Sequence, residues 1–341
     1  MLVINEKTVT KIFAGLSPKG VLKYQESLIK GLLEYQSDNS IIPPRIVSTT
    51  PYCTHLFMAS TGSRVGMKAI TGSKEGFKGI TTILDKNNGY PLGIINCTTL
   101  TAFRTALCNT LPLVKYYPIN ETYSNNETLI AFGVGDQAIW HIRLSLILYP
   151  KRFKTVIISN RTVSKAEKLC ESFRIEYPNV EFKSLGLYSG ENDDPLLEHF
   201  KTATVVFTCI PTSVPTVSID LINKCEKSCF IGAIGSYKPH MTEIDGEVLF
   251  KHVIDKGGKI IVDSKEHCLH EAGEFIINKV QEDKLIDIAT LYSDESSIKE
   301  LRKQKIVISK LVGLCIMDVW VGSECLESAK RDGLGIEIED F

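Results

Sequence analysis

The run Gly133-Val134-Gly135-Asp136-Gln137-Ala138 follows an apolar stretch, 128–132, and precedes a segment with helical spacing. It is a G-x-G-x-x-A pattern in a strand–turn–helix setting. There the first glycine permits a tight turn, the second lets the backbone approach a pyrophosphate, and the small third residue lets helix and strand pack closely. Free N–H groups at the helix start attract phosphate. Gly133, Gly135, Asp136, Gln137 and Ala138 are candidate dinucleotide contacts; the alternative is a glycine turn that binds nothing. Asp136 counts against an anion unless its carboxylate points to solvent.

The next apolar stretch, 155–158, runs into Ser159-Asn160-Arg161-Thr162. A site for NAD usually carries Asp or Glu at the end of this second strand, bonding the ribose 2′-hydroxyl. That acid is missing. An arginine can pair with a 2′-phosphate, which favours NADP over NAD, unless Arg161 is a solvated surface charge.

A third group is cationic: Arg45 after Pro43-Pro44, Lys68 inside Val65-Gly66-Met67-Lys68-Ala69-Ile70, and Arg104 in the helical stretch after Thr101. A lysine flanked by apolar residues, if buried, needs an anion, and arginine suits bidentate carboxylate binding. Together they are candidates for holding an amino-acid-like carboxylate, or else ordinary surface cations. His267-Cys268-Leu269-His270-Glu271 has metal-binding residue types without a recognised metal spacing, and reads as a helix start.

Elements must position these groups. Apolar residues at Val21, Leu22, Leu28, Ile29, Leu32 and Leu33, after Ser17-Pro18, predict a helix over 19–35. Short strands are predicted at 56–58, 66–70, 81–84 and 91–95, the last two joined by an Asn88-Gly89 turn. A helix over 99–115 follows, with Thr99 or Thr101 near its N-cap. The polar stretch 118–128 reads as an interdomain crossing. Beyond it, strands at 128–132, 154–159, 180–185, 204–209, 228–234 and 259–262 alternate with helices at 137–148 and 164–173, which predicts a parallel α/β sheet.

The 341 residues are 43% hydrophobic and 23% charged, with a net charge of −1. That composition supports a sizeable core, and the balanced charge gives no electrostatic case for nucleic acid or an anionic membrane. No apolar run is long enough to span a membrane. The N-terminal residues do not read as a signal peptide. The ten cysteines are scattered, without C-x-x-C, as expected of free thiols in a reducing compartment such as the cytoplasm.

With these segments in place, the chain resembles the ornithine cyclodeaminase/mu-crystallin family over nearly its whole length. The resemblance rests on Pro43-Pro44-Arg45, Gly66-Met67-Lys68, Asn88-Gly89-Tyr90-Pro91, Leu100-Thr101-Ala102-Phe103-Arg104-Thr105-Ala106 and the glycine turn. It continues through Asn160-Arg161-Thr162, Gly232-Ala233-Ile234-Gly235 with Pro239 and Glu243, Glu271-Ala272-Gly273-Glu274, and Val312-Gly313-Leu314 with Asp318. It implies an α/β fold: a Rossmann domain (a doubly wound parallel sheet) over 122–308, and a discontinuous α+β substrate and dimerisation domain from 1–121 and 309–341. It implies a homodimer, a carboxylate clamp of Arg45, Lys68 and Arg104, and a substrate beside Val312 and Gly313. The dinucleotide would lie on Gly133, Gly135, Asp136, Gln137, Ala138, Asn160, Arg161 and Thr162, with Thr105, Thr208 and Ile210 as further candidate contacts. Lys68, Arg104 and Tyr237 are the candidate catalytic residues.

Two departures bear on the reaction. The cyclodeaminases carry a catalytic aspartate two residues before Pro239, where this chain has Tyr237. The stretch between Lys68 and Asn88 is also short, leaving Thr81 or Thr82 as counterparts of a cofactor-contacting threonine. The implied activity is reduction of an imine, ketimine or cyclic imino acid by NADPH, or by NADH. Ornithine cyclisation with loss of ammonia, or dinucleotide or ligand binding without catalysis, are the alternatives.

Overall fold

In the strands Glu127–Phe132, Ala203–Thr208 and Cys229–Ala233 every residue is buried, as it must be where a sheet is covered on both faces. They are central in an eight-stranded sheet ordered Leu285–Asp287, Ile260–Val262, Ile306–Lys310, Cys229–Ala233, Ala203–Thr208, Glu127–Phe132, Phe153–Ser159, Glu181–Leu185. Every pairing in it is parallel. Chain order runs outward from Glu127–Phe132 to Glu181–Leu185, then reverses through Ala203–Thr208. This is the doubly wound Rossmann arrangement, with its switch point between Glu127–Phe132 and Ala203–Thr208. Phe132, Phe200, Val206, Ile231, Leu249 and Ile308 belong to its apolar core.

The computed structural model describes residues 1–124 and 126–339. It divides into one compact unit formed by Met1–Cys108 with Gly313–Phe341, and a second formed by Asn109–Val312. The polar stretch 118–128 lies within the second unit. The first division comes earlier, inside the helix Cys97–Tyr116, so no loop marks it. The return comes after Val312, because Ile306–Lys310 is a strand of the parallel sheet.

The first unit is built on a seven-stranded sheet ordered Ile336–Glu337, Leu2–Ile4, Pro91–Asn96, Gly76–Leu84, Val65–Ser73, Thr54–Thr61, Ile46–Thr49. Only the pairing of Leu2–Ile4 with Pro91–Asn96 is parallel. The helix Cys315–Arg331 covers one face of this sheet and packs on the helix Pro18–Ser37. A Cβ on Gly31 would lie 2.5 Å from the Trp320 ring, so this helix crossing requires glycine. Ser17 caps Pro18–Ser37 by accepting from the Gly20 N–H, and Pro18 opens it. The opposite sheet face carries a row of directly paired residues, Ile46, Phe57, Ala69 and Ile80, of which Ile46, Phe57 and Ile80 are 66%, 49% and 43% exposed.

The helix expected over 99–115 starts two residues earlier, and neither Thr99 nor Thr101 caps it. Asn96 accepts from the Thr98 N–H at 3.0 Å, and Glu6, from the helix Glu6–Ala14, accepts from the Thr99 N–H at 3.1 Å. The local Asn96 amide and a carboxylate from elsewhere thus share the work assigned to a local hydroxyl.

Candidate functional site

Strand alternation decides where Lys68 points. In Val65–Ser73, Gly66, Lys68 and Ile70 face inward while Met67 is half-exposed. Thr81 lies directly across from Lys68 and is buried on the same face, whereas its neighbour Thr82 takes the other. Lys68 Nζ donates to Asp318 Oδ1 and to Thr101 Oγ1, each at 2.8 Å. Arg104 lies one helical turn beyond Thr101, and its Nε donates to the same Asp318 oxygen at 3.2 Å. Arg45 Nη2 donates to the carbonyl of Gly313 at 3.2 Å. Gly313 has φ +90°, and a Cβ there would lie 2.9 and 3.0 Å from the two Arg104 guanidinium nitrogens. Backbone and close approach both demand glycine at this position.

The three candidate cations are therefore assembled around Gly313 and Asp318, with Lys68 and Asp318 fully buried. Burial pulls the Lys68 pKa below its usual value; Asp318 opposes that and Arg104 reinforces it. Asp318 supplies one negative charge to the two cations paired with it, Lys68 and Arg104, and its Oδ2 makes no hydrogen bond among the described residues. The Thr81 hydroxyl likewise has no hydrogen-bond partner among the described residues. Asp318 was visible in sequence only as part of a resemblance. The signal that called for it was the buried lysine, which needs an anion wherever the chain supplies one.

In the second unit, Gly133 has φ +113°, donates its N–H to the Ser159 carbonyl at 2.8 Å, and would place a Cβ 3.1 Å from the Cys209 carbonyl. Gly135 caps the helix Asp136–Leu148 with nothing within 4 Å of a built Cβ, which leaves its backbone open to a ligand. Asp136 is exposed at the helix start, Ala138 is buried, and the half-buried Gln137 has a side-chain oxygen with no hydrogen-bond partner among the described residues. The Gln137 carbonyl accepts from His141 Nδ1. Burial lowers the pKa of this histidine to about 4, so it is neutral and structural. Asn160 donates from its backbone to Leu185 and from its side chain to the Thr162 carbonyl, each at 3.0 Å. Arg161 is exposed on that turn. Thr208 ends its strand fully buried, and Ile210 follows.

Strand order brings the ends of Glu127–Phe132, Phe153–Ser159 and Ala203–Thr208 together, so the glycine turn, Asn160–Thr162 and Thr208–Ile210 lie along one edge of the sheet. These residues fit a dinucleotide: a glycine cradle that a Cβ would fill, an open N-cap, and an orphaned side-chain oxygen. Thr105 lies in the first unit and gives its hydroxyl to the Thr101 carbonyl at 2.8 Å. Val312 donates its N–H to Asp263 Oδ2 at 3.1 Å.

Tyr237 is half-buried in the loop after Cys229–Ala233, and burial raises its pKa. Its neighbours offer no free carboxylate in its stead. Ser236 is fully buried and donates to Glu274 Oε2 at 2.5 Å, Glu243 is fully buried, and Asp245 caps the helix Gly246–His252. His267 and His270 sit in the helix Lys265–Glu271, and no metal-binding cluster forms among the described residues.

Sequence reading missed a further cluster. Lys310 ends an otherwise uncharged strand and is fully buried, 3.3 Å from Glu274 Oε1 and 3.6 Å from Glu243 Oε2, and it donates to Ser236 Oγ.

Residues 69–332 match the ornithine cyclodeaminase/mu-crystallin family. A Δ1-pyrroline-2-carboxylate reductase of Bacillus cereus is 26% identical, over 90% of this chain and 92% of its own length. The Δ1-pyrroline-2-carboxylate reductase of Thermococcus litoralis, solved with NADH and L-proline, has the same fold: TM-score 0.77, 20% identity, 99% of this chain and 100% of that one covered. An archaeal alanine dehydrogenase dimer with bound NAD matches at TM-score 0.73 and 18% identity, covering 100% of this chain and 99% of that one. The chain belongs to the ornithine cyclodeaminase/mu-crystallin family.

Proposed function

We propose that this protein is an NAD(P)H-dependent reductase of a cyclic imino acid of the pyrroline-2-carboxylate kind. The observation that carries the reading is the buried cluster at Asp318: Lys68 and Arg104 share that one carboxylate, Arg45 bonds the Gly313 carbonyl beside Arg104, and a substrate carboxylate would balance the second buried cation. Gly133, Gly135, Asp136, Gln137, Ala138, Asn160, Arg161 and Thr162, with Thr208 and Ile210, would hold the dinucleotide, which when bound supplies hydride to the imine carbon. Lys68 and Arg104 fix the carboxylate so that this carbon is presented in one orientation. Val312 and Gly313 would lie beside the substrate; the Gly313 carbonyl accepts from Arg45, and Gly313 lies against the Arg104 guanidinium.

Tyr237 separates reduction from cyclodeamination. A phenol whose pKa is raised by burial stays protonated at neutral pH, so it can donate a proton but is a poor base. Cyclodeamination needs a group that both takes and returns protons at nitrogen; imine reduction asks only for delivery. Retention of all three cations argues against a protein that merely binds dinucleotide.

The exposed Arg161, with no acid in its turn, supports NADPH over NADH. The apolar row Ile46, Phe57 and Ile80 supports a homodimer in which a second copy covers that sheet face. Ten free cysteines fit a reducing, cytoplasmic setting. Among the described residues no helix is long and apolar enough to cross a membrane.

The test is purified protein with NADPH or NADH and a panel of cyclic imino acids, following nicotinamide absorbance. Reduction of Δ1-pyrroline-2-carboxylate is the expected result; robust conversion of L-ornithine to proline and ammonia would sink the reading of Tyr237. Arg161→Ala should weaken NADPH by roughly ten- to a hundredfold, as for a lost charge-assisted contact, while NADH affinity stays put. Equal loss for both cofactors in calorimetry would return Arg161 to the role of a surface charge.

A further inference from the structure

Glu243 is fully buried, yet both of its side-chain oxygens are engaged by backbone N–H groups from two different loops. Oε1 accepts from Ile210, at 3.2 Å, in the loop after Ala203–Thr208. Oε2 accepts from Gly235 and from Ser236, at 2.5 and 3.1 Å, in the loop after Cys229–Ala233. These loops leave the ends of neighbouring parallel strands, at the sheet edge where doubly wound folds take their ligands. The contacts continue to the glycine turn. A Cβ on Gly235 would lie 2.3 Å from the Ile210 carbonyl, and one on Gly133 would lie 3.1 Å from the Cys209 carbonyl and 3.4 Å from the Ile210 side chain. Ile210 is thus held between two glycines, with Glu243 fastening it from behind. Lys310 and Glu274 lie behind Glu243 in turn, joined through Ser236.

We infer that Glu243 is a positioning residue for dinucleotide binding: by accepting from both loops at once it sets the wall of the switch-point crevice that faces the Gly133 turn. The inference rests on the dinucleotide reading above. It explains why an acid stands where no substrate or solvent reaches it. A carboxyl group keeps an acceptor lone pair on each oxygen whether or not it carries a proton, so it can serve both loops. A glutamine at this position turns one of its two atoms into a donor facing another donor, so one loop must be released.

The experiment uses the full chain with Glu243→Gln, Glu243→Asp and Glu127→Gln. Glu127 is the control, because it belongs to another buried ion pair of the same sheet. It accepts from Arg152 Nε at 2.5 Å and from Thr204 Oγ1 at 2.8 Å, at the beginning of its strand, the edge away from the glycine turn. Dissociation constants for NADPH and NADH are read by nicotinamide fluorescence, and thermal midpoints in parallel. Glu243→Gln should weaken both dinucleotides by about tenfold or more, and Glu127→Gln should lower the midpoint without moving either constant. Glu243→Asp keeps the charge beside Lys310 but is one methylene too short to reach both loops, so it too should weaken binding if the glutamine variant does not fold. Wild-type dissociation constants in either folded Glu243 variant, or an equal loss in Glu127→Gln, overturn the inference. If wild-type protein itself binds neither dinucleotide, it is the proposed function that fails.

Discussion

Lys68 and Lys310 are both buried lysines at the inner side of a sheet, and they stand in opposite electrostatic situations. Lys68 shares a single carboxylate, Asp318, with Arg104, and burial wins: its pKa is lowered. Lys310 has two carboxylates, Glu274 and Glu243. Burial again pulls its pKa down, but the two acids outweigh it and leave it raised. The first cluster lacks negative charge and the second has negative charge to spare. A buried site short of an anion attracts one, whereas a buried site with excess carboxylate takes up a proton. Burial alone does not separate a ligand-binding lysine from an internal one; the count of counter-charges around it does.

Replacing each lysine by methionine should separate these roles most sharply. Lys310→Met leaves Glu243 and Glu274 facing each other without a cation. Breaking a buried ionic cluster in this way costs about 3–5 kcal/mol, read as a fall in the urea midpoint. Lys68→Met leaves Asp318 with Arg104, so its stability should change less. Its kcat/KM on a carboxylate substrate should drop by about a hundredfold, since a charged partner of a buried anion is worth roughly 2–5 kcal/mol. Dinucleotide affinity should be nearly unchanged. Arg104→Ala should follow the Lys68 pattern. If Lys68→Met kept wild-type kinetics, or if Lys310→Met were no less stable than Lys68→Met, the contrast between the two sites would be lost.

Much of this was legible in the sequence where the signal is local. The glycine turn shows itself in consecutive residues, and Lys68 announces its burial by apolar flanks. The counter-ions were not legible in the same way. Asp318, Glu243 and Glu274 each sit in ordinary-looking segments, and their meaning comes from which cation the fold brings to them. Leu2–Ile4, Ile336–Glu337 and Leu285–Asp287 are too short to show a period of two and are strands only because a neighbour pairs with them. The start of the helix Cys97–Tyr116 was misplaced for a related reason: its cap comes partly from Glu6, which no local rule connects to Thr99. Tyr237 was legible as a departure; Glu243 and Glu274 were legible only as part of the resemblance, and their burial behind its loop was not.

The smallest effect probes the second cluster by pH. Burial pushes Glu243 up from 4.5 to about 7, with Glu274 adding to the rise while Lys310, the Thr208 hydroxyl and the Ser236 N–H oppose it. The other titratable neighbour is the Cys209 thiol, itself pushed well up by burial and by Glu243. For an acid whose folded pKa lies above its unfolded value, the folded state holds the extra proton. Its contribution to stability is complete below about 4.5 and is lost as pH rises to about 7. Wild-type stability should therefore fall, relative to Glu243→Gln, by about 1.4 kcal/mol per pH unit across that window and run parallel to the variant above it. Urea unfolding of both proteins from pH 5 to 8 reads the difference directly, with titrations elsewhere in the chain cancelling between them. A wild-type curve parallel to that of Glu243→Gln throughout would mean that Glu243 is ionised across the whole range, with Lys310 and the three N–H groups outweighing burial.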